Sequence, residues 1–166
     1  MRIILSRKGF DSENGGVPSP IFLDGTIVSL PIPRKSQLTY GQIASPAKNF
    51  RHLGEIVEHL TKYRLSDSCC VHLDPDLDSC SIKRETGWRG VFGQSERAQR
   101  ELENAGVDVG DLLLFFGQFC KVKPSPTGQL SYVRGAKRQQ VIFGWLRIGR
   151  KLRLPDQAQS VPDWLR

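Results

Sequence analysis

A histidine and two aspartates alternate in His72-Leu73-Asp74-Pro75-Asp76. Alternate side chains of an extended chain share a face, so one imidazole and two carboxylates can converge there. Such a set suits general acid–base work. It also suits a hard divalent ion such as Mg²⁺, Mn²⁺ or Fe²⁺ better than zinc. Cys70 and Cys80 flank the string, but there is no Cys-x-x-Cys pair, so zinc is not indicated. The competing account is an acidic Asp-Pro-Asp turn with a hydrogen-bonded histidine, and Asp78 adds to it. The catalytic candidates are His72, Asp74 and Asp76, joined by Asp11 from a second string. His72, Asp74 and Asp76 are also the candidate metal ligands, with the metal unassigned.

That second string is Arg7-Lys8-Gly9-Phe10-Asp11-Ser12, which directly follows an apolar run. Arginine offers a planar fork to a phosphate or a base edge, and lysine a point charge. Gly9 allows a close backbone approach. Asp11 can orient Arg7 or accept from a sugar hydroxyl or a base amine; the alternative is an Arg–Asp pair that pins the loop. Gly15-Gly16-Val17-Pro18-Ser19-Pro20 follows, and paired glycines can aim N–H groups at an anion. A plain rigid turn is the better account of these residues taken alone. In Trp88-Arg89-Gly90-Val91-Phe92-Gly93-Gln94-Ser95, Gln94 can read a base edge and Trp88 or Phe92 can stack on a ring. A helix cap with an apolar staple explains the same string. The nucleotide-binding candidates are Arg7, Lys8, Gly15, Gly16, Ser19, Gln94 and Ser95. The sequence contains no phosphate-loop Gly-Lys-Ser/Thr, no Gly-x-Ser-x-Gly, no His-Glu-x-x-His and no dinucleotide glycine fingerprint.

Charge is segregated along the chain. The 166 residues carry a formal net charge of +7, yet residues 112 to 155 contain no Asp or Glu and nine Lys or Arg. Phe115, Phe116, Phe119, Tyr132, Phe143 and Trp145 interleave with those cations. A one-sign block with aromatic residues fits a phosphate-backbone partner, and Arg134, Lys137, Arg138 and Arg147 are its candidate nucleic-acid surface. A solvated basic face is the plainer alternative. No apolar run approaches the roughly 20 residues of a membrane helix, and the apolar core at the N-terminus is too short for a signal peptide. The expected compartment is cytoplasmic and the expected partner a nucleotide or nucleic acid, with no membrane. The four cysteines do not describe a secreted disulfide scaffold. The oligomeric state is left open.

The elements that must position these strings follow from periodicity. Ile3-Ile4-Leu5 reads as a short strand. Asp24-Gly25 reads as a tight turn in a hairpin. Leu53, Ile56, Val57 and Leu60 recur at helical spacing, which predicts a helix over about residues 50 to 64. Cys70 to Leu73 reads as a strand. A second helix is expected from Ser95 to Ala105, with Ser95 as its cap and Ala98, Leu102 and Ala105 on its inner face. The continuous apolar run Leu112 to Phe116 reads as a fully buried strand, and Val141 to Ile148 as the last strong one. The expected fold is α+β: a curled, mostly antiparallel sheet or PUA-like small barrel with two helices packed on it. One domain spans 1–155, followed by a C-terminal tail, 156–166, read as a docking segment or the start of a longer chain.

Taken together, Ile3 to Asp11, Gly15 to Pro20, Leu30-Pro31-Ile32-Pro33, His72 to Asp76, Phe92-Gly93-Gln94-Ser95, Gly110 to Gly117 and Phe143-Gly144-Trp145-Leu146 form a pattern. It resembles the third of the nucleotide modification associated domain families of bacteria and phages. The resemblance implies a nucleotide theme rather than a reaction. The first expectation is a protein that modifies a nucleotide or a base in DNA. The second is a non-catalytic reader of modified or single-stranded nucleic acid. The third is an interaction subunit of a phage or defence complex.

Overall fold

A computed structural model describes residues 1–154. Leu112–Pro124 forms β5, a 13-residue strand that every other strand of the main sheet joins. Two strands run parallel to it, β1 (Ile3–Arg7) and β2 (Ser19–Ile21). Two run antiparallel, β6 (Leu130–Tyr132) and β7 (Gln139–Arg147). β3 (Ile32–Pro33) and β4 (Val71–His72) make a separate two-stranded antiparallel sheet. The helices are α1 (Leu53–Thr61) and α2 (Glu96–Asn104).

The α+β class stands, but the mostly antiparallel sheet and the PUA-like barrel do not. The five-stranded sheet is mixed, and among the described residues no barrel closes. The physical reason is the connection. More than a hundred residues separate β1 from β5, long enough to bring both strands into the sheet in the same direction. Strand alternation in a sequence carries no information about direction. The expected hairpin keeps its Asp24-Gly25 turn, but its arms meet at one bridge, Ile21 to Ile27, and β2 pairs with β5 instead.

α1 buries Leu53, Ile56, Val57 and Leu60 as its spacing predicts. They join Phe10, Leu30, Tyr40, Val71 and Val122 in one core. Burying an Ile or Val side chain contributes about 1.5–3 kcal/mol each. The buried Tyr40 hydroxyl donates to the carbonyl of Pro31 at 2.7 Å, which fixes the entry to β3. α2 departs from expectation: it buries no residue, and Ala98 and Ala105 are exposed. Its sequence is mostly charged, and i,i+4 pairs run along its surface, Arg97 with Glu101 and Gln99 with Glu103. The expected pair of packed helices is therefore one packed helix and one surface helix.

No helix among the described residues is long and apolar enough to cross a membrane. The tail assigned to 156–166 lies outside the described residues.

Candidate functional site

Two strand ends meet in one cleft. β1 finishes at Arg7, and the Lys8 N–H still donates to the carbonyl of Phe116 at 2.8 Å. This close pairing needs Gly117, where a Cβ would lie 2.6 Å from the Lys8 carbonyl oxygen. Gly9 then turns the chain at φ +80°, and Phe10 enters the core edge-on to Tyr40 at 6.2 Å. Lys8 is thus held from both sides at the cleft edge.

The second strand end is β4. His72 sits opposite Ile32, and the buried Val71 before it donates to the Leu38 carbonyl at 2.9 Å. Beyond β4 the backbone of Asp76 pairs with Val91 through two hydrogen bonds of 2.9 and 2.8 Å. That bridge lays Phe92-Gly93-Gln94 alongside Asp74. The Asp74 carboxylate accepts from Lys8 Nζ at 2.9 Å and from the Gly93 N–H at 2.9 Å. Its side chain is 4% exposed. Lys8 Nζ also lies 4.7 Å from the centre of the Phe92 ring. One buried carboxylate therefore ties the end of β1 to the loop that enters α2.

His72 is half-buried beside this link. Burial lowers its pKa from the ordinary 6.5; Asp74 pulls it up, while Arg34 and Lys8 push it down. The neutral imidazole is favoured, the form that accepts a proton. No hydrogen bond to the His72 ring is formed among the described residues.

The cleft brings together Arg7, Lys8, Asp11, His72, Asp74, Gln94, Ser95 and Arg147 of the predicted set. Asp11 is occupied by its own loop. It accepts from the Glu13 and Asn14 N–H groups at 2.9 and 2.7 Å, and Arg7 is 3.7 Å away. Burial raises its pKa, but these hydrogen bonds and Arg7 outweigh it and hold the carboxyl below the usual range. Gln94 and Ser95 stand at the mouth of α2, and the Ser95 side chain makes no cap hydrogen bond.

Other candidates lie elsewhere. Asp76 is fully buried and grips Arg84 through both carboxylate oxygens, with 2.6 Å from Arg84 Nη1 to Oδ2. Arg84 in turn lies over the Trp88 ring at 4.2 Å. Burial pushes the Asp76 carboxyl up and the guanidinium opposes it. Asp76 is a bolt behind the cleft wall. Gly15 and Gly16 adopt φ of +83° and +76°, and a Cβ on Gly15 would strike the Phe10 ring at 2.5 Å. They shape the loop over the core and lie outside the cleft lining. The Ser19 hydroxyl is buried and accepts from the Leu30 N–H at 3.0 Å. Arg134, Lys137 and Arg138 sit between β6 and β7, away from the cleft. The three proposed metal ligands do not converge: among the described residues no group of three or more His, Cys, Asp or Glu is placed to hold a metal ion.

Arg34 and Lys35 also line the cleft. They follow β3 directly, while Arg7 closes β1 and Lys8 follows it, so the readable signal is a basic pair at a strand end. Among the described residues, eleven Lys and Arg line the cleft against four carboxylates. The geometry is that of an α+β domain with a cleft in which basic side chains outnumber acidic ones.

Comparison with curated proteins and with solved structures finds no match. The model of the nucleotide modification associated domain 3 family matches residues 2–166. The chain belongs to that family.

Proposed function

We infer that the cleft receives one nucleotide unit and that the protein serves nucleotide modification by holding that unit beside His72. Lys8 and Arg34 take the phosphate. Phe92 and Gln94 flank the base. His72, kept neutral by its surroundings, accepts a proton from the bound unit. The single observation that carries this reading is a half-buried imidazole in a cleft that Lys8 and Arg34 also line, where basic side chains outnumber carboxylates eleven to four among the described residues. A phosphate group placed there would neutralise repulsion that the protein otherwise bears.

Titration calorimetry with nucleoside monophosphates tests it. A monophosphate should bind, inorganic phosphate should compete, and Arg34→Ala should weaken binding about tenfold, the loss of one charge-assisted contact. Equal binding of the unphosphorylated nucleoside would remove the phosphate assignment.

A reader without turnover is favoured by one specific observation. The oxygens of Asp74 and Asp76 are engaged by Lys8, Gly93 and Arg84, so no carboxylate pair stands ready for acid–base exchange. His72→Gln separates the two: it removes proton transfer and keeps a hydrogen-bonding side chain. Loss of product with binding retained supports modification. Unchanged behaviour supports the reader.

A further inference from the structure

β5 carries an apolar run that would suit burial on both faces, yet among the described residues only one face is covered. Leu113, Phe115 and Phe119 are buried, while Leu112, Leu114 and Phe116 are only half-buried. Register extends this second face across three strands. Ile3, Leu112 and Arg147 form one row; Leu5, Leu114 and Trp145 form the next; Arg7, Phe116 and Ile142 form the third. Ile3, Leu5, Ile142 and Trp145 are 61%, 63%, 56% and 67% exposed. These rows contain two arginines and no carboxylate. Beyond them, Arg138 donates to Gln118 Oε1 at 3.3 Å and adds a third arginine. Arg7, Trp145 and Arg147 also line the cleft, so the face and the cleft are continuous.

We propose that this sheet face is a stacking platform for single-stranded DNA, which it leads into the cleft. The proposal rests on the cleft reading only for what lies at the end of the strand. The chemistry is charge complementarity around an apolar centre. Bases stack on Trp145 and on the Phe116 edge, and phosphates meet Arg7, Arg138 and Arg147. A protein partner would also cover apolar surface, but three arginines against a single carboxylate, Asp11 at 3.7 Å from Arg7, select a polyanion. Ile3, Leu5, Leu112 and Leu114 in these rows are aliphatic, so a 2′-hydroxyl held against them would lose water without gaining a partner, which favours DNA over RNA.

The test uses fluorescence anisotropy with labelled dodecathymidylate and calorimetry with thymidine monophosphate, on the full chain. The wild type should bind the strand more tightly than the monophosphate. Trp145→Ala should weaken the strand about tenfold or more, the loss of a stacked base, and weaken the monophosphate far less, because Trp145 stands only at the cleft's border with the sheet face. Trp145→Tyr should retain strand binding, which a merely structural effect would not predict. Circular dichroism checks that both variants fold. Strand binding indifferent to Trp145→Ala overturns the platform. So does tighter binding of dodecauridylate, or self-association of the protein that Trp145→Ala abolishes while the strand fails to bind. If the monophosphate does not bind but the strand does so through Trp145, the cleft reading fails and the platform stands.

Discussion

Asp74 and Asp76 are two residues apart, both carboxylates are buried, and each is paired with a cation, yet they belong to different regions of the molecule. Asp74 faces the cleft and takes a lysine, a point charge on a flexible stem. Asp76 lies behind the wall and takes an arginine fork that occupies both its oxygens. Lys8 can redirect an N–H bond to a ligand without leaving Asp74 bare, since the Gly93 N–H remains. Arg84 has no such freedom, because Asp76, Ser81 and the Asp78 carbonyl fix it. The lesson is that the same residue type serves a site or a scaffold according to whether its partner can be exchanged.

The largest expected effect lies in the scaffold pair. Arg84→Ala leaves a buried carboxylate unpaired and should cost about 3–5 kcal/mol, read as a fall in urea midpoint. A variant as stable as the wild type would erase the distinction. Asp74→Ala should cost less, about 1–3 kcal/mol, because Lys8 is partly exposed and can reach water. The pair Lys8→Met with Asp74→Leu should recover part of that stability, the Gly93 N–H being left without its acceptor, while abolishing monophosphate binding. Recovery of both would place the cleft's chemistry elsewhere. Phe92→Ala removes a ring 5.0 Å from Phe115 and the face beneath Lys8. It should cost about 1–2 kcal/mol, and denaturant melts resolve a change of that size.

His72 supplies a pH test. Its folded-state pKa is lowered by burial, so the unfolded chain binds the proton more readily. The contribution is fully present above the unfolded value of 6.5 and is lost as pH falls below it. His72→Gln should flatten the stability profile in that window. The smallest effect is expected from Arg97→Ala, whose partner Glu101 lies on the exposed face of α2; it should change stability by at most about 0.5 kcal/mol.

Parts of the site were legible in the residues. Basic residues following a strand end pointed to Arg7 and Lys8, and alternation pointed to His72 and Asp74. The same alternation drew in Asp76, because period two says that residues share a face but not which partner waits there. Arg84, which decides the matter, is eight residues away on an irregular segment with no pattern to mark it. Gly15 and Gly16 were visible as a turn, and only the Phe10 ring packed against Gly15 shows what that turn serves. In α2, Ala98, Leu102 and Ala105 mimic a buried stripe, but alanine offers too little surface to bind a helix to a core, and charged pairs hold it instead.

Composition and local pattern decided the things that depend on neighbours in the chain: the α1 stripe, the β5 run, the basic bias of the last third, and the family the motifs carry. Long-range contact decided the rest. Strand direction, the division of labour between Asp74 and Asp76, and the exposed sheet face beside the cleft among the described residues all depend on segments that meet across long stretches of chain, more than a hundred residues for β1 and β5. Pairing energy between such segments is a property of the folded geometry, and no local period encodes it.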